Sequence, residues 1–370
     1  MKENELMEIE EENTDDIIPL EKFVSQFNPK EIDITAEQNS LSTIIGMIED
    51  EAIDLNTEFQ RKGNLWSDTT MSRLIESILL RLPLPAFYFD ASDDEKWLVV
   101  DGLQRLCAFQ KFVVDKDLVL TNLPVLINLN GKSYDKLDKT LTRRMARYQV
   151  TTYLIKPGTP KKVKYDIFRR INTGGLILTG QEIRNALNQG KPSHYLKKLS
   201  EDEHFKKVIS IPDKRMADHE LILRYLAFSN TPYTEYKPPF TSFLDQAMEK
   251  LDKLEDTKLK ELEQNLWKAL QTCQELFGKH IFSVSLVTRG KNPKLNRALF
   301  EVWTVLIGKL TSRDIEHLQS TKADLIKGFK SCLKDKAFYQ SIFASTASKI
   351  SVTTRFKTIE SLLEERLNDQ

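Results

Sequence analysis

The residues of this chain best suited to chemistry stand together in Trp97–Arg105 (WLVVDGLQR). An apolar extended run ends in Asp101 and Gly102, and Leu103, Leu106 and Cys107 then fall on one helical stripe. The segment therefore predicts strand, tight turn and helix. Free N–H groups at such a helix start favour an anion, and phosphate suits them. In that setting Arg105 would clamp phosphate through two donors and Gln104 would hydrogen-bond a phosphate, base or water. Asp101 would hold a metal ion, Mg2+ being a candidate, or a ribose hydroxyl. The plainer reading of the same residues has Asp101 capping the helix and Arg105 paired with a nearby carboxylate.

A second candidate is the basic stretch between Lys132 and Arg170, where Arg143, Arg144, Arg147, Lys161, Lys162 and Lys164 stand among few acids. These six are the candidates for a DNA phosphate backbone, with Tyr134, Tyr148, Tyr153 and Tyr165 interleaved to stack on exposed bases. A solvated helix face with core tyrosines produces the same pattern. Gly174 and Gly175 lack the Gly-Lys-Ser/Thr ending of a phosphate loop. They end a helix, or else Asn172 and Thr173 beside them line the pocket of Arg105. The histidines His194, His204, His219, His280 and His317 are scattered, without the close spacing of a nuclease metal site. Cys107 lies on an apolar stripe, where a core thiol is the default.

Positioning the Asp101 turn falls to several elements. Leu41, Ile44, Ile45 and Ile48 mark one buried helix face, and Met71, Leu74, Ile75 and Ile78 mark another, started by Ser67, Asp68 or Thr69 and stopped before Pro83. Leu84–Asp90 and Trp97–Val100 read as two strands joined by a hairpin-like link. Val125–Leu129 reads as a further short strand ended by Asn130 and Gly131, and Tyr148–Ile155 as another. Val163, Ile167 and Ile171 mark a helix, and Thr179 with Glu182 has the spacing of a capping box. Beyond residue 190 the pattern is helical: Leu221, Ile222 and Leu226, then Leu259, Leu262 and Leu266, then Leu299, Val302, Trp303 and Ile307.

The expected organisation is an acidic flexible arm over 1–18, an α+β nucleotide-binding domain over 19–188 and an all-helical domain over 189–370. With 54 basic and 54 acidic residues the formal charge is zero, so any nucleic-acid footprint must be local. Cys107, Cys273 and Cys332 are far apart, which excludes a paired-cysteine zinc site and fits a reducing, cytoplasmic setting. The acidic start is unlike a secretory signal, and the apolar runs are far short of a membrane span.

Three blocks of residues together resemble a known family: Gln60, Arg61 and Trp66; Asp101, Gly102, Gln104 and Arg105; and Asn172, Thr173, Gly174, Glu182, Arg184 and Asn185. They are similar to the ParB/sulfiredoxin-like domains of the Asp-Gly-Gln-Gln-Arg type, known as domain of unknown function 262 and found in GmrSD-type restriction systems. The resemblance implies a ParB/sulfiredoxin-like core whose motif binds a nucleotide and, in some members, hydrolyses it in defence against foreign DNA. On that footing Gln60, Arg61, Gly102, Arg105, Asn172 and Thr173 bind the nucleotide, and Asp101, Gln104 and Arg105 serve catalysis. Leu103 stands where the family usually has glutamine, which bears on hydrolysis more than on binding.

The leading expectation is an NTP-hydrolysing protein that acts on or senses DNA with Mg2+. The alternatives are a sensor or adaptor without turnover and a metal-dependent DNA nuclease. Many relatives carry a His-Asn-His nuclease whose signature is not seen here, so a separate nuclease subunit is an expected partner.

Overall fold

The computed structural model describes residues 7–10, 33–55, 66–93, 95–171, 179–211, 215–288 and 293–368. It divides into two compact units, Ser25–Leu187, and Met1–Val24 together with Asn188–Gln370. The strands are β1 (Glu8–Ile9), β2 (Ile34–Ser40), β3 (Ile53–Asp54), β4 (Phe87–Asp90), β5 (Trp97–Asp101), β6 (Gln149–Ile155) and β7 (Lys294–Leu295). In the first unit the helices are α1 (Leu41–Glu49), α2 (Asp68–Leu79), α3 (Leu103–Phe109), α4 (Lys139–Ala146), α5 (Lys161–Ile171) and α6 (Gly180–Leu187).

The first unit is built on a mixed sheet of order β2-β6-β4-β5-β3. The pairs β2/β6 and β4/β5 are antiparallel, and β4/β6 and β3/β5 are parallel. Alternation along the strands sends Phe87, Phe89, Val99, Val150 and Leu154 to one face, where they pack with Leu41, Ile44, Ile75, Ile78, Leu106 and Phe109. Leu98, Val100 and Ile155 pack instead with Phe168, Ile183 and Ala186. Both faces are thus covered by helices, and Asp101 stands at the end of β5, an interior strand of this sheet.

Local chemistry sets the helix ends. Ser40 and Ser67 accept from the Thr43 and Thr70 backbone N–H groups at the starts of α1 and α2. Thr179 and Glu182 exchange hydrogen bonds before α6. Val125–Leu129 is not the strand its apolar residues predict. The N–H groups of Val125 and Leu126 donate to the Glu76 carboxylate at 2.9 and 2.7 Å, so they are withdrawn from any ladder, and the segment closes in a 3-10 turn at Ile127–Leu129.

The second unit comprises α7 (Lys191–Glu201), α8 (Glu203–Val208), α9 (Ala217–Asn230), α10 (Phe240–Lys253), α11 (Asp256–Phe277), α12 (Arg297–Gly308), α13 (Ser312–Ser320), α14 (Lys322–Cys332), α15 (Lys336–Phe343) and α16 (Lys349–Asn368). Aromatic residues such as Phe228, Phe277, Trp303 and Phe356 fill its core. At the acidic chain start, β1 runs parallel to β7, Lys294 pairs with Glu8 at 2.7 Å, and Asn296 donates to the Glu10 carboxylate at 2.9 Å. Among the described residues no helix is long and apolar enough to cross a membrane.

Candidate functional site

The register of β4 against β5 shifts between Tyr88 and Phe89, so Val99 pairs with Phe89 but Asp101 pairs with Tyr88. Such a bulge re-aims the side chains that follow it. Gly102 comes next with φ of 100°, and a Cβ there would stand 2.5 Å from Phe87 Cδ1 and 3.1 Å from an Arg105 nitrogen. Glycine is required on both counts, conformation and space. The chain then enters α3 with Gly102 at the cap position and no side-chain cap.

Asp101 therefore does not cap the helix. Its carboxylate accepts from Arg105 at 2.8 Å across one helical turn. Arg105 is only 7% exposed. Its guanidinium also donates to the carbonyl oxygens of Pro85 and Ala86, the latter at 3.1 Å, and lies 4.3 Å from the Phe87 ring centroid. Burial pushes its pKa below the ordinary arginine value while Asp101 works in the opposite direction. Arg105 thus pins the end of the loop before β4 and orients Asp101, rather than holding its paired donors outward as a phosphate clamp.

Asp101 keeps a side chain 31% exposed beside this buried partner. Tyr88 and Tyr153 stack nearby, with centroids 4.8 Å apart. Burial, then Tyr153 and then Asp101 push the Tyr88 hydroxyl pKa up, and Arg105 opposes them. The Gln104 side-chain oxygen accepts from the Trp66 N–H at 3.0 Å, which ties the first and second sequence blocks together. Leu103 is buried in the core, a physical reason for an apolar residue at that position. Gln60, Arg61, Asn172 and Thr173 lie outside the described residues. Of the third block, Glu182 closes the capping box and Arg184 donates to Gln181 at 3.3 Å, both buried.

The basic stretch separates into different environments. Arg143, Arg144 and Arg147 line one cleft of about 490 Å³ with Arg81, Thr140, Tyr148 and Gln149. Arg144 donates to the Leu79 carbonyl at 3.0 Å and the Tyr148 hydroxyl to that of Leu82 at 2.5 Å, which joins α4 to the end of α2 and the residue before β6 to the loop after α2. No carboxylate lines this cleft. Arg81 is the member that sequence reasoning missed, because it lies far from the basic stretch in the chain; its signal is an arginine just past a helix end, where glycine is usual.

Lys164, grouped with the DNA candidates by sequence, is turned inward. Its ammonium donates to both Asp90 oxygens at 2.9 Å and to Ser92, and it is 8% exposed, so its charge is matched within the fold. Lys161 and Lys162 open α5, and their side chains lie outside the described residues. Tyr134 packs edge-on against Phe112. Among the described residues no three His, Cys, Asp or Glu side chains come together as a metal site. Burial pushes the Cys107 thiol up to about 11.

Residues 41–189 match the family model described as the N-terminal domain of the GmrSD restriction endonuclease. The matched span runs from α1 through α6 and includes both the Asp101 turn and the arginine cleft, and it supports a GmrSD-type restriction-system domain there. No curated protein matches the chain.

Proposed function

We propose that the sheet-containing unit is a nucleotide-binding domain of ParB/sulfiredoxin-like fold in a DNA-acting restriction protein, and that nucleotide occupancy controls its engagement with foreign DNA. The observation that carries this reading is the Asp101 carboxylate, partly exposed at a strand end and fixed by a buried arginine within the span matched to a restriction domain. A carboxylate held in one orientation is a preorganised acceptor for a ribose hydroxyl. It also suits one ligand position of the Mg2+ that accompanies a nucleoside triphosphate, since Mg2+ takes most of its ligands from phosphates and water and only one or two from protein carboxylates. When bound, Mg2+ would neutralise phosphate charge; Asp101 is the residue that would hold it. Gln104, tied to Trp66, lines the same turn.

Binding without turnover is the reading favoured by Arg105 and Leu103. The first has its guanidinium committed to Asp101, Pro85 and Ala86, and the second is buried, so the turn presents no cation of its own to a transferring phosphoryl group. Hydrolysis is the second reading, favoured by the fixed and partly exposed Asp101, which would orient a water while Gln104 positions it.

Calorimetric titration of the full chain with each NTP and Mg2+, alongside Asp101→Asn, separates these readings. The wild-type chain should bind at least one NTP, and the variant should bind it about tenfold more weakly, the usual scale for losing a charged hydrogen-bond partner. Phosphate release that disappears in the variant would move the conclusion to hydrolysis, and plasmid nicking that disappears would move it to a nuclease. No binding to any NTP, or equal binding by both proteins, would sink the nucleotide reading.

A further inference from the structure

The arginine cleft has a partial local explanation. Arg143 and Arg144 occupy the last turn of α4, where cations complement the helix dipole. Arg81 stands just past the end of α2, where a cation is favoured in the same way, but a dipole does not explain why two helix ends bring their arginines to one cleft. Nor does it offset the repulsion between Arg143 and Arg147, one helical turn apart. The chain has as many acids as bases, yet no carboxylate lines this cleft, and among the described residues no ion pair engages Arg81, Arg143 or Arg147.

Arg81 adds an independent observation. It follows the end of α2 with φ of 63°, the left-handed conformation in which helices commonly terminate on glycine. A side chain is disfavoured there, so this arginine stands against the preference of its own backbone. Its side chain is exposed and lines the cleft with three further arginines.

We propose that this cleft binds the phosphodiester backbone of duplex DNA, with Arg81, Arg143 and Arg147 meeting phosphates and Arg144 held in place by the Leu79 carbonyl. Guanidinium groups suit phosphate because their planar donors match two oxygens at once. The cleft, at about 490 Å³, is in the size range of a single small ligand. A segment of sugar-phosphate backbone fits that range and a whole duplex does not, so recognition here is of the backbone and is independent of base sequence. The inference rests on the DNA-acting reading above and goes beyond it by placing the contact on α4 and the end of α2, away from Lys164.

The test is fluorescence anisotropy of the full chain with a labelled mixed-sequence duplex over a series of salt concentrations. It compares wild type, Arg81→Gly and the double variant Arg143→Ala/Arg147→Ala. Glycine relieves the left-handed backbone, so Arg81→Gly should melt no lower than wild type, and a binding loss in that variant does not come from unfolding. The expected result is about tenfold weaker binding for Arg81→Gly, with the slope of log K against log salt shallower by about 1, and by about 2 for the double variant. Unchanged affinity and slope in both variants, with wild type binding, would remove the cleft and leave the DNA-acting reading standing. Calorimetric titration of the same variants with NTP and Mg2+ completes the test: loss of NTP binding with DNA binding unchanged would reassign the cleft to the nucleotide. A wild-type chain that binds no duplex would overturn both the inference and the reading beneath it.

Discussion

Arginine has opposite surroundings in the two units. In the helical unit Arg355 and Arg224 converge on Glu301, and all three are almost fully buried. Arg355 donates to Glu301 at 2.7 Å and to the Thr346 carbonyl at 2.6 Å, while Arg224 donates to Glu220 at 2.7 and 2.9 Å and stacks 4.7 Å from the Phe240 ring centroid. In the sheet unit Arg81, Arg143 and Arg147 share a cleft that no carboxylate enters. Arg105 belongs with the first kind, except that the carboxylate it holds remains partly open to solvent. A buried guanidinium must be given acceptors by the fold, because an unmatched charge there is severely destabilising. Exposed guanidinium groups are met by water and need no such matching, and the proposal above assigns an external anion to them.

The largest effect is expected at Arg355. Arg355→Ala should destabilise the helical unit by about 3–5 kcal/mol, because Glu301 loses its main partner in a dry core. Urea unfolding followed by tryptophan fluorescence reads this, and a loss near zero would show that the network is not what holds that core. Gly102→Ala comes next, with an expected cost of about 1–3 kcal/mol from the left-handed backbone and the encounter with Phe87. NTP affinity should fall with it, since Asp101 precedes the glycine directly; an alanine variant with wild-type melting temperature and affinity would contradict the geometry.

Arg81→Gly sharpens the contrast from the other side. Its stability should rise by about 1 kcal/mol through relief of the backbone, whereas an arginine used as Arg355 is used would cost stability when removed. The smallest effect concerns Cys107. Burial disfavours the thiolate and raises the thiol to about 11, so alkylation of the native protein should be slow at pH 8 and quicken only as pH approaches that value. Fast labelling at pH 8 under native conditions would mean that α3 opens readily.

Patterns that depend on neighbours in sequence were legible without the structure. Leu41, Ile44, Ile45 and Ile48 are all buried, as are Met71, Leu74, Ile75 and Ile78, and the run from Trp97 to Arg105 does form strand, turn and helix. Patterns that depend on distant partners were not. Lys164 and Arg143 look alike in a charge count, but Lys164 meets Asp90 across 74 residues and Arg143 has an exposed side chain. The acceptors of Arg105 are backbone carbonyls, which leave no mark in composition. The polar strand β2 shows no apolar alternation because most of its residues are exposed, and its pairing with β6 is a matter of backbone hydrogen bonds. Val125–Leu129 misled for the converse reason: Val125 and Ile127 are apolar and exposed, while a buried glutamate takes two of the backbone groups a strand would need.

The proposal that nucleotide occupancy controls DNA engagement is tested most directly by duplex affinity of the full chain over a salt series, with and without NTP and Mg2+. Log K should fall linearly with log salt, and the curve should shift when the nucleotide is present. Absence of binding, or an affinity that ignores both salt and nucleotide, would contradict that proposal.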